Sequence, residues 1–279
     1  MAEIIDGKAI ARAIKAEVAA RLQERGGAAP LIVAVEVGQD DASASYVRNQ
    51  ARQADRVGIL HRLDRLPDDI DDAGLQAHLR RLGEDPEVTA IMLQTPLPRH
   101  LDLRAARAAI DPEKDVEAVT TTNAGRLVSG VHRVAPCTAL AAVACLEAAT
   151  GGDLRGLHVT VIGRSEIVGR PLALLLLHGD ATVTVTHRHT RHLAQHTREA
   201  DVVISAVGQP GLVTADMVRE GAIVVDVGTN WIAEQNRLVG DVDYEAVAAK
   251  ASRITPVPGG VGPVTVAMLL RNAVHLLDG

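Results

Sequence analysis

The stretch Gly163-Arg164-Ser165-Glu166-Ile167-Val168-Gly169-Arg170-Pro171 decides the fold, because it joins two apolar runs of different character. Residues 157–162 before it predict a buried strand, and residues 172–177 after it predict a helix. A glycine-rich turn in this place is typical of a dinucleotide-binding unit, in which free backbone amides at the helix start face a pyrophosphate. Gly163 would allow the sharp turn, and Gly169 would let the helix approach the sheet.

Two arginines favour NADP over NAD as the dinucleotide. Arg164 lies within the glycine loop, and Arg188 follows the next predicted strand, Thr182 to Thr186. An NAD enzyme usually carries Asp or Glu after that strand, where the carboxylate binds the ribose hydroxyls. A guanidinium group would instead bind a 2′-phosphate through charge-assisted hydrogen bonds. We therefore expect NADP as the cofactor.

The composition argues against nucleic acid and membranes as partners. The chain has 279 residues and a formal net charge of -6, and its 29 basic and 35 acidic residues are mixed along the sequence. Aromatic residues make up only 1% of the chain, which is too few for base stacking. The longest apolar run of note, residues 172–177, is far shorter than a membrane span, and the N-terminus lacks a secretory pattern.

The two cysteines, Cys137 and Cys145, are spaced for one helix. This spacing fits reduced, buried thiols better than a disulfide, and reduced thiols are typical of the cytosol. We therefore expect a cytoplasmic protein.

Apolar periodicity predicts alternating strands and helices, the pattern of an α/β protein with parallel sheets. The length exceeds that of a usual single core, so we expect two domains. Strands are predicted at residues 31–37, 60–66 and 88–93 and near Val159, Val183, Val203, Val224 and Ile254. Helices are predicted at residues 10–22, 43–57, 72–82, 102–110 and 138–149, and residues 259–263 are expected to precede a last helix at residues 264–277.

Short motifs spread over nearly the whole chain carry a resemblance to a known family. They are Asp6-Gly7-Lys8, Ser45-Tyr46-Val47, Gln94 with Pro96-Leu97-Pro98, residues 112–116, Asn123-Ala124-Gly125-Arg126-Leu127, Pro136-Cys137-Thr138, residues 163–171 and residues 255–265. The last, Thr-Pro-Val-Pro-Gly-Gly-Val-Gly-Pro-Val-Thr, is highly specific. On these residues the chain resembles the methylenetetrahydrofolate dehydrogenase/cyclohydrolase family of one-carbon metabolism.

The resemblance implies an N-terminal α/β catalytic domain and a Rossmann-like NADP-binding domain with a parallel sheet, separated by a cleft. We expect residues 1–137 and the C-terminal helix, residues 264–279, in the first domain and residues 138–263 in the second. The resemblance also implies a homodimer formed through the cofactor domains. The cofactor residues it implies are Gly163, Arg164, Ser165, Val168, Gly169, Pro171, His187, Arg188, Gly208, Thr229 and Thr265.

The substrate half departs from the family at the position of its catalytic lysine. Members carry Tyr-x-x-x-Lys on the helix beside the folate, whereas here Tyr46 is followed four residues later by Gln50. The two residues share a helix face, so Gln50 would still point at the same site. A neutral amide cannot transfer protons near neutral pH or stabilise charge as an ammonium group does. We therefore expect methylenetetrahydrofolate dehydrogenase activity with weak or absent cyclohydrolase activity.

Further departures lie beside it. The pterin loop, usually Asp-Val-Asp-Gly, contains Glu117 and Ala118, Thr95 replaces a usual leucine after Gln94, and Thr229 replaces a usual isoleucine near the nicotinamide. We expect Tyr46 to stack on or hydrogen-bond with the pterin, and Gln94 and Glu117 to hold its polar edge. The expected catalytic positions are Tyr46, Gln50, Gln94 and Glu117, and the expected substrate contacts are Tyr46, Gln94, Thr95, Glu117, Pro258 and Gly259.

Two alternatives remain open at this point. The chain could be an NADP-dependent oxidoreductase of the same fold that acts on another imine or iminium substrate, as the changes at Thr95, Glu117 and Ala118 suggest. It could also be a non-catalytic paralogue that binds NADP. We expect no metal, because the histidines near His187 fall in a segment that resembles the family's Thr-His-x-x-Thr sequence.

Overall fold

The computed structural model describes residues 1–38, 41–233 and 236–277, and the side chains of all of these except residues 41–46. Strands and helices alternate along the chain, which confirms the predicted α/β class. In chain order they are β1 (Glu3–Ile4), α1 (Gly7–Arg25), β2 (Leu31–Val37), α2 (Asp41–Asp55), β3 (Leu60–Leu66), α3 (Asp72–Glu84), β4 (Ala90–Leu93), α4 (Leu103–Ala108), α5 (Thr121–Val128), α6 (Cys137–Thr150), β5 (His158–Ile162), α7 (Gly169–His178), β6 (Thr182–Thr186), α8 (Leu193–Arg198), β7 (Val202–Ser205), a short 3-10 helix (Ala215–Met217), β8 (Ile223–Asp226), β9 (Asn230–Ile232), β10 (Arg237–Val239), α9 (Tyr244–Ala248), β11 (Arg253–Ile254) and α10 (Val261–Leu277).

The chain divides into two compact units. One comprises Met1–Ala13 with Pro136–Met268, and the other comprises Ile14–Ala135 with Leu269–Gly279. Residues 1–13 belong to the first of these units because β1 pairs with β11 and thereby joins its sheet. None of the described helices is long and apolar enough to cross a membrane.

The sheet of the first unit contains a point at which the strand order reverses. Its order is β1-β11-β8-β7-β5-β6, and every neighbouring pair is parallel. From β5 the chain first adds β6 on one side and then crosses over to add β7 on the other. Ligands of open parallel sheets bind outside the carboxyl ends of the strands at such a reversal. The loops after β5 and β7 are therefore the expected place of a dinucleotide.

The core of this first unit is built from small aliphatic side chains, since the sequence contains no Phe. Val203, Val224 and Ile254 are fully buried on adjacent strands, and Leu172 and Leu176 bury one side of α7. β-branched residues on both faces of a parallel strand are favoured because helices cover the sheet.

The second unit is built on a three-stranded parallel sheet in the order β3-β2-β4. Val35 lies opposite Leu93 in the register of β2 and β4, and Leu75 and Leu79 of α3 pack into the same core. Beyond the sheet, Ile91 forms an isolated parallel bridge with Asp115. This bridge brings the segment after Asp115 to the edge of β4.

The start of the last helix differs from the sequence prediction, and the short helices α5, α8 and α9 were not predicted. The last helix begins at Val261 and not at residue 264, because Pro263 lies in its first turn, where a proline removes no helical hydrogen bond. α5 was not predicted, although Thr120 is a good N-cap residue and accepts a hydrogen bond from the Asn123 amide at 3.3 Å. Its short length leaves too little periodicity to be recognised.

Candidate active site

The loop after β5 has the close approach expected for a dinucleotide. Gly163 has φ +118°, and a Cβ at this residue would overlap the carbonyl oxygen of Ala206 after β7. A Cβ at Gly169 would overlap the carbonyl oxygen of Gly163. Both positions therefore require glycine, one to leave the strand and the other to bring α7 against the loop. Glycines at these two positions are typical of the turn that binds a pyrophosphate at the carboxyl edge of a parallel sheet.

The amides at the start of α7 differ from the expectation that they would be free. The hydroxyl of Ser165 accepts hydrogen bonds from the amides of Val168 at 3.2 Å and Gly169 at 3.4 Å. The amide of Arg170 donates to the carbonyl oxygen of Ser165 at 3.1 Å. The loop caps the helix itself because a serine oxygen satisfies donors that otherwise lack partners. A bound pyrophosphate would have to share these amides with Ser165. Pro171 is buried one position further on.

Cationic side chains gather where β5 and β6 end. Arg164 and Arg188 are exposed, and His187 is half-buried. Partial loss of hydration lowers the pKa of His187, and the charges of Arg164, His189 and Arg188 lower it further. Both guanidinium groups thus act electrostatically on the same imidazole. A 2′-phosphate is the ligand that such a cluster suits.

The remaining cofactor positions follow other strands of the same sheet. Gly208, with φ +68°, lies after β7, and Thr229 is exposed after β8. The expected substrate contacts Pro258 and Gly259 follow β11, and the expected cofactor residue Thr265 lies on α10, where its hydroxyl donates to the Val261 carbonyl at 3.3 Å. The structure thus places the loop residues after the carboxyl ends of neighbouring strands.

The second unit brings Gln50 and Gln94 together in a buried amide cluster. The Gln94 Nε2 donates to the Gln50 Oε1 at 3.3 Å, and both amide groups also donate to the sulfur of Met92, at 3.6 and 3.7 Å. Gln50 is only 1% exposed. Sequence reasoning did not single out Met92, although it lies two residues before Gln94 on the same side of β4. Tyr46 lies on α2, but its side chain is outside the described part.

Glu117 lies beside the edge of β4, two residues after the bridge between Ile91 and Asp115. Burial, together with the smaller effect of the Asp115 charge and against the opposing charge of Arg107, raises the pKa of Glu117 from its usual 4.5 to about 7. The next residue, Ala118, has φ +52°, a conformation that favours glycine. The site therefore contains a carboxyl group that changes its charge near neutral pH.

Asp115 organises the loop in which Glu117 lies. Its carboxylate accepts hydrogen bonds from the amides of Val119 at 3.1 Å and Thr120 at 2.8 Å, and from Asn123 Nδ2 at 3.0 Å. Thr95 is exposed after Gln94, near the same end of β4. Among the described residues, no three His, Cys, Asp or Glu side chains are grouped as metal ligands would be.

Two family models match the chain. The model described as "Tetrahydrofolate dehydrogenase/cyclohydrolase, catalytic domain" matches residues 5–117, and the model described as "Tetrahydrofolate dehydrogenase/cyclohydrolase, NAD(P)-binding domain" matches residues 136–278. Together they cover both of the units that the structure shows.

Similar proteins cover the chain from end to end. "Bifunctional protein FolD 2" of Pseudomonas putida is 47% identical over 99% of this chain and 92% of its own length. The crystal structure of the bifunctional methylenetetrahydrofolate dehydrogenase/cyclohydrolase FolD from Campylobacter jejuni is 40% identical, covers 100% of this chain and 99% of its own, and superposes with a TM-score of 0.95. The Trypanosoma brucei enzyme, solved with NADP and an inhibitor, is 40% identical with a TM-score of 0.91, over 99% of this chain and 97% of its own.

Proposed function

Because the chain belongs to the tetrahydrofolate dehydrogenase/cyclohydrolase family, we propose that it is an NADP-dependent 5,10-methylenetetrahydrofolate dehydrogenase whose cyclohydrolase activity is weak or absent. Its relatives are named for both activities, so the proposal separates the two by the chemistry that each one needs. The observation that carries it is the neutral, buried amide cluster of Gln50, Gln94 and Met92.

The cofactor half of the site suits NADP. The glycines at 163 and 169 allow the close backbone approach at the loop to which we assign the pyrophosphate, and Arg164, His187 and Arg188 provide positive charge for a 2′-phosphate. Bound NADP supplies the hydride acceptor at C4 of its nicotinamide ring. Gly208, Thr229 and Thr265 are the residues that we assign to the nicotinamide end.

Hydride transfer depends mainly on positioning, because the folate nitrogens themselves supply the electrons that expel the hydride. We assign Gln94 and Glu117 to the polar edge of the pterin, and Tyr46, Thr95, Pro258 and Gly259 to its remaining contacts. A neutral Gln50 does not obstruct this step. At position 50 itself, it places no ammonium group that would repel the cationic methenyl product.

Hydrolysis of the methenyl product makes a different demand. Water adds to the cation, and protons then move while the ring opens, so a group that exchanges protons is needed. Gln50 cannot serve, since a carboxamide does not titrate near neutral pH. Lys15 contacts the same helix, but its ammonium donates to Gln53 at 2.8 Å. We therefore expect hydrolysis to suffer more than hydride transfer.

One assay tests the proposal. The protein is given methylenetetrahydrofolate and NADP, and both NADPH formation and the decay of methenyl absorbance are followed. We expect NADPH to form and the methenyl compound to decay at its buffer rate. Enzymatic hydrolysis well above that rate would contradict the loss of cyclohydrolase activity.

A second candidate function is that of an NADP-dependent oxidoreductase that acts on another imine or iminium compound, which NADPH would reduce by hydride transfer to the C=N carbon. The exposed Thr95 and the titrating Glu117 favour it, because both alter the wall expected to face the pterin. NADP binding without NADPH formation from the folate would favour this candidate. A panel of cyclic imines with NADPH would then separate a changed substrate from a non-catalytic NADP-binding protein.

We also propose that the protein is a homodimer formed through the unit that contains the six-stranded sheet. β6 is an edge strand of this sheet, and Val185 on it is exposed. Sedimentation velocity at micromolar concentration should show a dimer, and Val185→Lys should shift it to a monomer. Leu60→Lys, on the edge strand of the smaller sheet, is the control and should remain dimeric. A monomeric wild type would contradict the proposal.

A further inference from the structure

Asp241 is a buried carboxylate that sequence patterns did not single out. It follows the hairpin of β9 and β10, in which Val239 lies opposite Asn230, so the hairpin returns the chain to the end of β8. Asp241 is 0% exposed. A carboxylate is stable in such a place only when hydrogen-bond donors surround it. Its donors therefore identify the segments that it holds.

Most of the donors belong to the end of β7 and the loop that follows it. Oδ2 of Asp241 accepts hydrogen bonds from the Ser205 hydroxyl at 3.0 Å, the Val207 amide at 2.9 Å and the Gly208 amide at 3.3 Å. Oδ1 accepts one from the Gln209 amide at 2.9 Å. Successive amides directed at one carboxylate fix the path of the loop.

The same carboxylate also holds the turn after β8. Asn230 Nδ2 donates to Oδ1 of Asp241 at 3.1 Å, and a Cβ at Gly228 would overlap the carboxylate. Asp226, the last residue of β8, in turn fixes the position of Asp241. Its carboxylate accepts hydrogen bonds from the backbone amides of Asp241 at 3.0 Å and Val242 at 2.9 Å. Two loops at adjacent strand ends thus share one buried anchor.

We propose that Asp241 is a positioning residue that sets the geometry of residues 207–209 and 228–230, the loops that face the nicotinamide. This inference rests on the proposed function, which assigns Gly208 and Thr229 in these loops to that end of NADP. Asp241 does not touch reacting atoms. A misplacement of about 1 Å can slow a positioned reaction roughly 100-fold. Loss of the carboxylate should therefore slow hydride transfer and spare the loops after β5 and β6, which bind the 2′-phosphate.

Asp241→Asn in the full-length protein is the test. Asparagine keeps the size but replaces one acceptor oxygen by an NH2 group, which would face N–H donors. The matched control is Asp243→Asn, an exposed aspartate two residues further on. Hydrogen exchange of the amides of residues 207–209 is measured without ligand, binding is measured with 2′,5′-ADP and with NADP, and hydride transfer is measured in a single turnover with deuterated methylenetetrahydrofolate.

In Asp241→Asn, we expect the amides of residues 207–209 to exchange their hydrogens faster, while 2′,5′-ADP binds as it does to the wild type. Hydride transfer should be at least about 10-fold slower and should show a larger isotope effect. Asp243→Asn should match the wild type in all three measurements. A folded Asp241→Asn with wild-type hydride transfer would overturn the proposal. Equal losses of 2′,5′-ADP binding and hydride transfer would also overturn it, since they indicate general disruption.

Milder variants cover the case in which Asp241→Asn does not fold. Ser205→Ala and Asn230→Ala each remove one donor, and each should slow hydride transfer about 3-fold or more without changing 2′,5′-ADP binding. Wild-type rates in both would overturn the proposal. If the wild type forms no NADPH from the folate, the proposed function fails separately. The role of Asp241 is then judged by whether its variants bind NADP more weakly than the wild type does while their affinity for 2′,5′-ADP is unchanged.

Discussion

The side-chain amide of Gln94 donates to the side-chain carbonyl of Gln50 at 3.3 Å, and both residues are buried against the sulfur of Met92. These three described hydrogen bonds, which join Gln50, Gln94 and Met92, are all between neutral groups. If an ammonium group stood at position 50, the Gln94 amide would have to rotate. Its oxygen would then accept a hydrogen bond from the ammonium group. Position 50 is thus a point at which one substitution changes the chemistry of the site.

Gln50→Lys should raise cyclohydrolase activity by roughly 100-fold, the contribution typical of a positioned acid-base group. Burial lowers the pKa of a lysine, which favours proton exchange near neutral pH. The measurement is the decay of methenyl absorbance above the buffer rate. Gln50→Met, of similar length and without charge, is the control and should remain inactive in hydrolysis. No gain with lysine, in a protein that still forms NADPH, would mean that the site lacks more than this group.

Arg188→Ala should weaken NADP binding much more than NAD binding. The substitution removes a charge-assisted contact, of about 1.5 to 3 kcal/mol, that NAD cannot make. Titration calorimetry with both nucleotides measures the difference. Arg155→Ala, which removes an exposed arginine beside Asp153 before β5, is the matched control and should leave both affinities unchanged. A native preference for NAD would disprove the assignment of NADP.

Glu117→Gln should stabilise the protein at alkaline pH and not at acidic pH. The pKa of Glu117 is raised in the folded state from 4.5 to about 7, so the wild type loses stability as the pH rises through this window. The full effect is on the order of 2 to 3 kcal/mol and is present above pH 7. Urea unfolding at pH 4, 6 and 8 tests it: an equal effect of the substitution at all three would refute the raised pKa.

Folate binding should improve as the pH rises through about 7, because the pterin amide and amino groups donate hydrogen bonds and need an ionised Glu117 as acceptor. Fluorescence titration of tetrahydrofolate across this range measures the inflection. Glu117→Gln should bind more weakly and remove the inflection. An unchanged profile in that variant would assign the titration to another group.

Gly169→Ala should destabilise the protein by about 1 to 3 kcal/mol, because the new Cβ would overlap the carbonyl oxygen of Gly163. The loop would have to move, so NADP affinity should fall as well. Gly125→Ala is the control: it lies within α5, has free space around it and should gain about 0.4 to 1 kcal/mol. Thermal unfolding and calorimetry with NADP compare the two.

The sequence by itself determined the α/β class, the parallel sheets and the place of the glycine-rich turn between β5 and α7. These features depend on periodicity and on short motifs, in which neighbouring residues carry the information. Gly163 and Gly169 are examples, because the turn and the helix that they permit begin within the same nine residues. The departure that we infer at Gln50 also rests on the sequence alone, since a residue type at a motif position needs no coordinates.

Only the tertiary structure decided how distant residues act on one another. Gln50 and Gln94 are 44 positions apart, and Ser205 and Asp241 are 36 apart, yet each pair is hydrogen-bonded in a buried place. The pKa of Glu117 depends on burial, on Asp115 in its own loop and on Arg107 of α4, and the Ser165 cap depends on the path of its loop. Burial and hydrogen bonding are set by which elements pack together, so periodicity, which reports local conformation, does not contain them.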